Sequence, residues 1–184
     1  MTPRFKKERA IELATWLLQW GGGVMDVMKL LKLIYITERR ALSRYGWPIT
    51  FDSFASLDFG PVPSKTYDFI KGVNTDPGDQ CLWNEWISPR DGNRVRLLQP
   101  PQLRHLSEAQ LKLAQEVFEE FGDERTFALS ELTHAFPEWT DPEGSSLPIS
   151  YKELLSKLGK TQEEIQAILD ELDEEARLEE LFQL

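Results

Sequence analysis

One cysteine, Cys81, and two histidines, His105 and His134, stand in a chain of 184 residues. A single thiol excludes an intramolecular disulfide and suits a reducing compartment, so a cytoplasmic protein is expected. The two histidines lie far apart, and neither belongs to a His-x-x-x-His or Cys-x-x-Cys spacing, so no metal and no cofactor is expected. Cys81 and a histidine have no local signature of a thiol dyad. His134 sits beside a proline-aromatic turn and reads as a structural hydrogen-bonding group. The longest apolar runs are short, such as Leu33-Ile34-Tyr35-Ile36, against the roughly 18 residues of a membrane span. The basic start (Arg4, Lys6, Lys7, Arg9) has no apolar h-region behind it, which argues against a signal peptide. Gly21-Gly22-Gly23 lacks the Gly-Lys-Ser/Thr of a phosphate loop and reads as a turn. Without a nucleophile–base pair or a ligand set, the chain is not expected to be an enzyme.

Charge is abundant but unevenly placed. The net charge is −10. Residues 1–104 hold 15 Lys/Arg against 11 Asp/Glu, whereas residues 105–184 hold 6 against 20. An acidic half of that size argues against a nucleic-acid partner, whose phosphates need clustered cations.

Apolar periodicity supplies most of the fold. Ile11, Leu13, Ala14, Leu17 and Leu18 mark a helix over residues 4–20, closed by the three glycines. Val27, Leu30, Leu31, Ile34, Tyr35 and Leu42 mark a second over 26–45, capped by Asp26 and stopped by Gly46 and Pro48. Lys29, Lys32, Arg39, Arg40 and Arg44 give this central helix a basic flank. A short helix around 52–57, running into an extended 58–62, is the reading for the next aromatic-rich stretch. Pro61 and Pro63 then hold the backbone extended. Ser64 reads as the cap of a helix over 65–71 that ends at Gly72.

Residues 75–79 carry loop chemistry, and 82–87 and 94–98 read as a hairpin around Asp91-Gly92. On such a strand Trp83 and Trp86 face opposite ways, leaving one exposed as an interface candidate. Beyond Pro100-Pro101, Ser107 opens a helix to Gly122. A helix over 126–135 follows, with Leu129 and Leu132 inward and Ser130 and Thr133 outward. Next come a rigid turn over 136–142 and a helix over 149–158 capped by Ser150. Thr161 and Glu164 form a capping-box pattern. Behind it, residues 161–184 carry nine acids and one base, Arg177. Leu169 and Leu172 lie on one stripe, and Leu178, Leu181 and Phe182 on another. This segment reads either as an amphipathic helix for a partner's groove or as a cover for its own domain.

These elements describe an α+β, predominantly α-helical protein: a single compact helical domain (1–160) with a small antiparallel sheet, and an acidic amphipathic helical extension (161–184). Four pieces resemble the Panacea domain of SocA-like antitoxins. They are Lys29-Leu30-Leu31-Lys32-Leu33, Tyr45-Gly46-Trp47-Pro48-Ile49, Gly60-Pro61-Val62-Pro63 with Tyr67 behind it, and Leu129-Ser130-Glu131-Leu132-Thr133-His134 with Pro137-Glu138-Trp139. The resemblance spans residues 24–155. It implies a cytoplasmic, in part phage-associated, antitoxin that neutralises a cognate protein toxin by direct protein–protein binding. Relatives include proteins that resemble adaptors delivering a toxin to a protease, and others with a DNA-binding autoregulatory domain. Only about 23 residues precede the motif here, too few for such a domain. Lys29, Lys32, Tyr35, Gly60, Pro61, Val62, Pro63, Tyr67, Thr133, His134 and Trp139 match the motif and are expected mainly to define the fold. The expected toxin contacts are Trp83, Trp86, Leu169, Leu172, Leu178, Leu181 and Phe182.

Overall fold

Residues 3–182 are described by the computed structural model; residues 1–2 and 183–184, the outer ends of the two expected segments, lie outside the described residues. In chain order the elements are α1 (Lys7–Trp20), β1 (Val24–Asp26), α2 (Val27–Tyr45), β2 (Phe54–Leu57), β3 (Gly60–Pro63) and α3 (Ser64–Lys71). These are followed by α4 (Pro77–Trp86), β4 (Arg94–Arg96), α5 (Glu108–Phe121), α6 (Thr126–His134), β5 (Leu147–Ile149), α7 (Tyr151–Lys157) and α8 (Gln162–Phe182). The architecture is α+β and mainly helical, with two small antiparallel sheets.

Helix α2 is the axis. The Asp26 carboxylate accepts hydrogen bonds from the N–H groups of Met28 and Lys29, and Gly46 closes the helix in the left-handed region at φ 68°. Every residue from Leu30 to Glu38 is buried, so α2 lacks a solvated face along two turns. Leu30, Leu31, Leu33, Ile34 and Ile36 join a first core with α1, α5 and α6. Tyr35 and Leu42 join a second with Phe51, Phe54, Tyr151, Leu154, Leu155, Ile165 and Leu172. Helix α8 therefore lays its Ile165–Leu172 stripe on its own protein. The Thr161–Glu164 capping box is present, with Glu164 N–H donating to Thr161 Oγ1 and the Glu164 carboxylate accepting from Thr161 N–H. At the far end, the buried Glu179 carboxylate accepts from Arg4 N–H and pairs with Lys6.

Several local expectations are corrected. Residues 54–57 form strand β2, not a helix, because the chain turns back at Gly60 and β2 pairs with β3 from Phe54↔Pro63 to Leu57↔Gly60. Pro61 and Pro63 are tolerated because β3 is an edge strand, the order being β3-β2-β5. The third strand, β5, has no counterpart among the predicted elements. Residues 82–87 lie in helix α4 and its C-cap: Asp76 caps it by accepting from Gly78 N–H, with Pro77 in the first turn. That Asp-Pro pair is a helix start rather than a loop. The strand near residue 95 pairs instead with β1, Met25 opposite Val95. Ser130 and Thr133 are buried, not outward.

The cap of α3 is also not Ser64. Asp52, 13 positions upstream of Lys65, accepts from Lys65 N–H (2.7 Å), Thr66 N–H (2.9 Å) and Thr66 Oγ1 (2.7 Å). A carboxylate here answers the orphan donors of the helix start, while burial pushes its pKa up to about 6. Removing it strands the buried Thr66 N–H and the part-buried Lys65 N–H. Asp52→Ala is expected to destabilise the fold by about 2 kcal/mol or more, a fall in Tm of roughly 4–8 °C for a chain this size. An unchanged thermal melt would refute the capping role.

Candidate functional site

The turn between β2 and β3 is held by an unusual set of donors. Carbonyl oxygens of Leu57, Asp58, Phe59 and Pro61 accept, in turn, from Trp139 Nε1 (3.0 Å), His134 Nε2 (3.0 Å), Ser130 Oγ (2.8 Å) and Lys32 Nζ (2.8 Å). Because a carbonyl can only accept, His134 carries its proton on Nε2. The His134 ring stacks on Trp139 with centroids 4.1 Å apart. Gly60 sits inside this ring of side chains at φ +96°, where a Cβ would fall 2.5 Å from Thr133 Oγ1 and 2.9 Å from Lys32 Nζ. Only glycine accommodates both the conformation and the approach.

The segment that delivers Trp139 is fixed from α2. Glu138 is buried and accepts from Tyr35 Oη (2.9 Å) and Arg39 Nε (2.7 Å). Burial and the Glu138 charge push the Tyr35 phenol far above its ordinary value, so it stays a donor. The Arg39 guanidinium lies 4.3 Å from the Phe136 ring centroid. One turn along, Glu38 is wholly buried and accepts from Ile49 N–H and Thr50 N–H, each at 2.8 Å. Burial raises its carboxyl to about 7.

Beside the clamped turn opens a cavity of about 800 Å³. Five motif residues line it: Lys29 and Lys32 from α2, Gly60 and Val62 from β3, and Tyr67 from α3. Leu31 and Leu57 add apolar wall, and Phe59 and Phe127 stand at it 55% and 69% exposed. Lys32 is 0% exposed, and among the described residues its ammonium has a carbonyl but no carboxylate for a partner. Burial lowers its pKa to about 7. Sequence periodicity placed Lys32 on a solvated flank; the structure places it in the core. The three arginines of that flank are engaged. Arg39 pairs with Glu138, Arg40 with Glu120, and Arg44 with Glu116 at 2.8 Å.

The motif residues are thus brought together: Lys32, Gly60, Pro61, Thr133, His134 and Trp139 build the clamp, Tyr35 anchors it, and Val62 and Pro63 extend the strand behind it. The expected toxin contacts are dispersed. Trp83 is 1% exposed and stacks on Phe69 at 5.3 Å, inside the first core. Leu172 is buried in the second core, while Leu169 and Trp86 pack partly buried. Leu178, Leu181 and Phe182 are exposed, the last two at 76% and 68%. Phe127, which sequence reading passed over, carried one signal: it falls off the Leu129–Leu132 stripe of α6. His105 bonds through Nδ1 to Glu12, 2.7 Å away, and Glu12 also accepts from three successive N–H groups, Arg104 to Leu106. Among the described residues no three His, Cys, Asp or Glu side chains gather as a metal site, and no helix is long and apolar enough to cross a membrane.

A family model described as the antitoxin SocA-like Panacea domain matches residues 30–140, which include the clamp and nearly all of the motif. The chain belongs to this antitoxin-like family. No curated protein and no solved structure matches it.

Lys32 makes stability depend on pH in a calculable direction. Between about pH 7 and the ordinary lysine value of 10.5, the unfolded chain holds a proton that the folded chain lacks. Stability therefore rises with pH across that window, with a contribution approaching ~1.4 kcal/mol per pH unit. Lys32→Met is expected to lose that slope and to be at least as stable as the parent at neutral pH. Denaturant unfolding at several pH values measures both. Gly60→Ala, by contrast, is expected to lose about 2–3 kcal/mol from strain and overlap, seen as a lowered denaturation midpoint.

Proposed function

We propose that this chain is the antitoxin of a toxin–antitoxin pair and neutralises a cognate protein toxin by direct contact. The match to the antitoxin-like Panacea family over residues 30–140 carries this reading. The chemistry of the site supports a binding role: Lys32, Ser130, His134 and Trp139 are spent on backbone carbonyls, and both histidines serve as hydrogen-bonding posts. The arginines of α2 are paired with acids of α5 and the Glu138 turn, which leaves that flank poorly suited to phosphate backbones. Occlusion by an interface of roughly 1,200–2,000 Å² with a few apolar anchors is the expected mechanism.

Helix α8 is one docking element in this proposal. Its inner stripe is committed to the domain, so the partner-facing set narrows to Leu178, Leu181 and Phe182, on a face whose neighbours are acidic. Such an edge suits an apolar groove with a basic rim.

The test is co-expression with the product of the adjacent reading frame. A toxic product rescued by this chain, and recovered with it as a complex, is the expected outcome; toxicity unrelieved by the chain would overturn the reading. Deleting the whole of residues 161–184 would expose the second core, so the docking role is better examined by point changes. Leu181→Glu combined with Phe182→Glu is expected to weaken the complex roughly tenfold or more while leaving the thermal melt in place. Unaltered affinity would remove α8 from the interface and leave the antitoxin assignment standing.

A further inference from the structure

The cavity beside the clamped turn gathers four basic side chains in a chain of negative net charge. Among the described residues, its four lining cations, Lys29, Lys32, Arg90 and Arg125, form no ion pair. This occurs in a protein with a net charge of −10. Asp26, one of the acids on the lining, is committed to capping α2.

Lys32 is the most constrained of the four. Its side chain is 0% exposed to bulk solvent yet forms part of the cavity wall, and Pro61 O at 2.8 Å uses one of three ammonium hydrogens. An ammonium in apolar surroundings with no counter-charge is held at a penalty, and an arriving carboxylate would relieve it through a charge-assisted hydrogen bond. The surrounding wall is apolar, from Leu31, Leu57 and Val62, with two exposed phenylalanines at its edge.

We propose that this cavity receives a segment of a partner polypeptide that presents an apolar side chain next to a free carboxylate, with Lys32 as the carboxylate's counter-ion and Phe59 and Phe127 flanking the apolar side chain. A single negative charge suits the site better than a phosphate dianion, because Asp123 and Glu124 also line it. The volume, about 800 Å³, exceeds the needs of a small acid and fits two or three peptide side chains. The partner's polypeptide nature rests on the antitoxin reading; the carboxylate chemistry rests on the cavity alone.

The probe is the tripeptide acetyl-Ala-Leu-Phe with a free C-terminal carboxylate, titrated at millimolar concentration into the full chain labelled with nitrogen-15. Amide shifts clustered at Leu31, Gly60, Val62 and Phe127 are expected. The C-terminal carboxamide of the same peptide is expected to bind about tenfold more weakly or less, the loss of one charge-assisted hydrogen bond. Lys32→Met should abolish the preference for the carboxylate, and Phe127→Ala, at an exposed position, should weaken both peptides. Equal binding of acid and amide, or shifts elsewhere on the molecule, would overturn the site. Tighter binding by 3-phenylpropionate than by the peptide would overturn the polypeptide assignment in favour of a small acid. Concentration-dependent self-association lost in Lys32→Met would do so in favour of a second copy. Toxin rescue by the parent chain without any carboxylate-selective shift would sink the cavity proposal and leave the antitoxin reading intact.

Discussion

A helix enclosed along two turns must find partners for every polar group it carries. That constraint, applied to α2, organises the molecule. Lys32, Tyr35, Glu38 and Arg39 sit on a helix with no solvated face over much of its length, and together they reach three separate segments. Glu38 collects the N–H groups of Ile49 and Thr50, Lys32 takes the carbonyl of Pro61, and Tyr35 with Arg39 holds Glu138. Burying an unpaired polar group costs several times what a typical hydrogen bond returns. The loops therefore have little freedom to sit elsewhere, and three irregular segments become as well defined as the helix that pins them.

The same device recurs away from the axis. Glu12 gathers three consecutive N–H groups before α5, Asp52 caps α3 from a distance, and Glu179 ties the far end of α8 to Arg4 and Lys6. Burial opposes the charge on Glu12 and Glu179. For Glu12 its hydrogen bonds, and for Glu179 its hydrogen bonds together with the Lys6 and Arg4 charges, outweigh it and hold the carboxyl below its ordinary range. The division of the chain into a basic and an acidic half acquires a structural meaning here. Arg39–Glu138, Arg40–Glu120, Arg44–Glu116 and Lys6–Glu179 each join a cation of the first half to an acid of the second. The exposed pairs, Arg40–Glu120 and Arg44–Glu116, contribute little individually, but together they orient α5 against the central helix.

Long, strongly periodic segments were legible from sequence: α1, α2, α5 and α8 lie where their apolar stripes put them, with Asp26, Ser107 and Thr161 capping as their side chains suggest. The failures share a cause. Asp76-Pro77 has the chemistry of a turn and of a helix start alike, and only packing of Trp83 against Phe69 decides between them. The 52–57 stretch has neither helical nor strand periodicity because both of its faces are buried, and its conformation is set by the distant Gly60 turn and by β5. Ser64 had the right residue type for a cap, but Asp52 outcompetes it through two oxygens rather than one. Lys32 was the most consequential misreading. A lysine between apolar stripes reads as solvated, since periodicity ranks residue types and cannot register a carbonyl 29 positions away. The motif residues were identified as a set, yet nothing in their spacing announces that Lys32, Ser130, His134 and Trp139 converge on four carbonyls of one turn.

That convergence bears on how a surface without chemistry can be selective. Recognition gains most when the free protein already holds its bound shape, since less ordering entropy is then lost on association. A turn whose carbonyls are individually tied, and whose central residue tolerates no side chain, is preorganised in this sense. Among the described residues, the groups bordering the cavity are by contrast left open: cations without ion pairs and two largely exposed phenylalanines. Rigid scaffold behind and unsatisfied chemistry in front is the arrangement expected of a binding site rather than of a core. It also separates two roles within the motif. Gly60, Thr133, His134 and Trp139 hold the backbone, while Lys29, Lys32 and Tyr67 face the space that backbone encloses. Substitutions in the first group should therefore act through the fold, and those in the second through whatever the cavity admits.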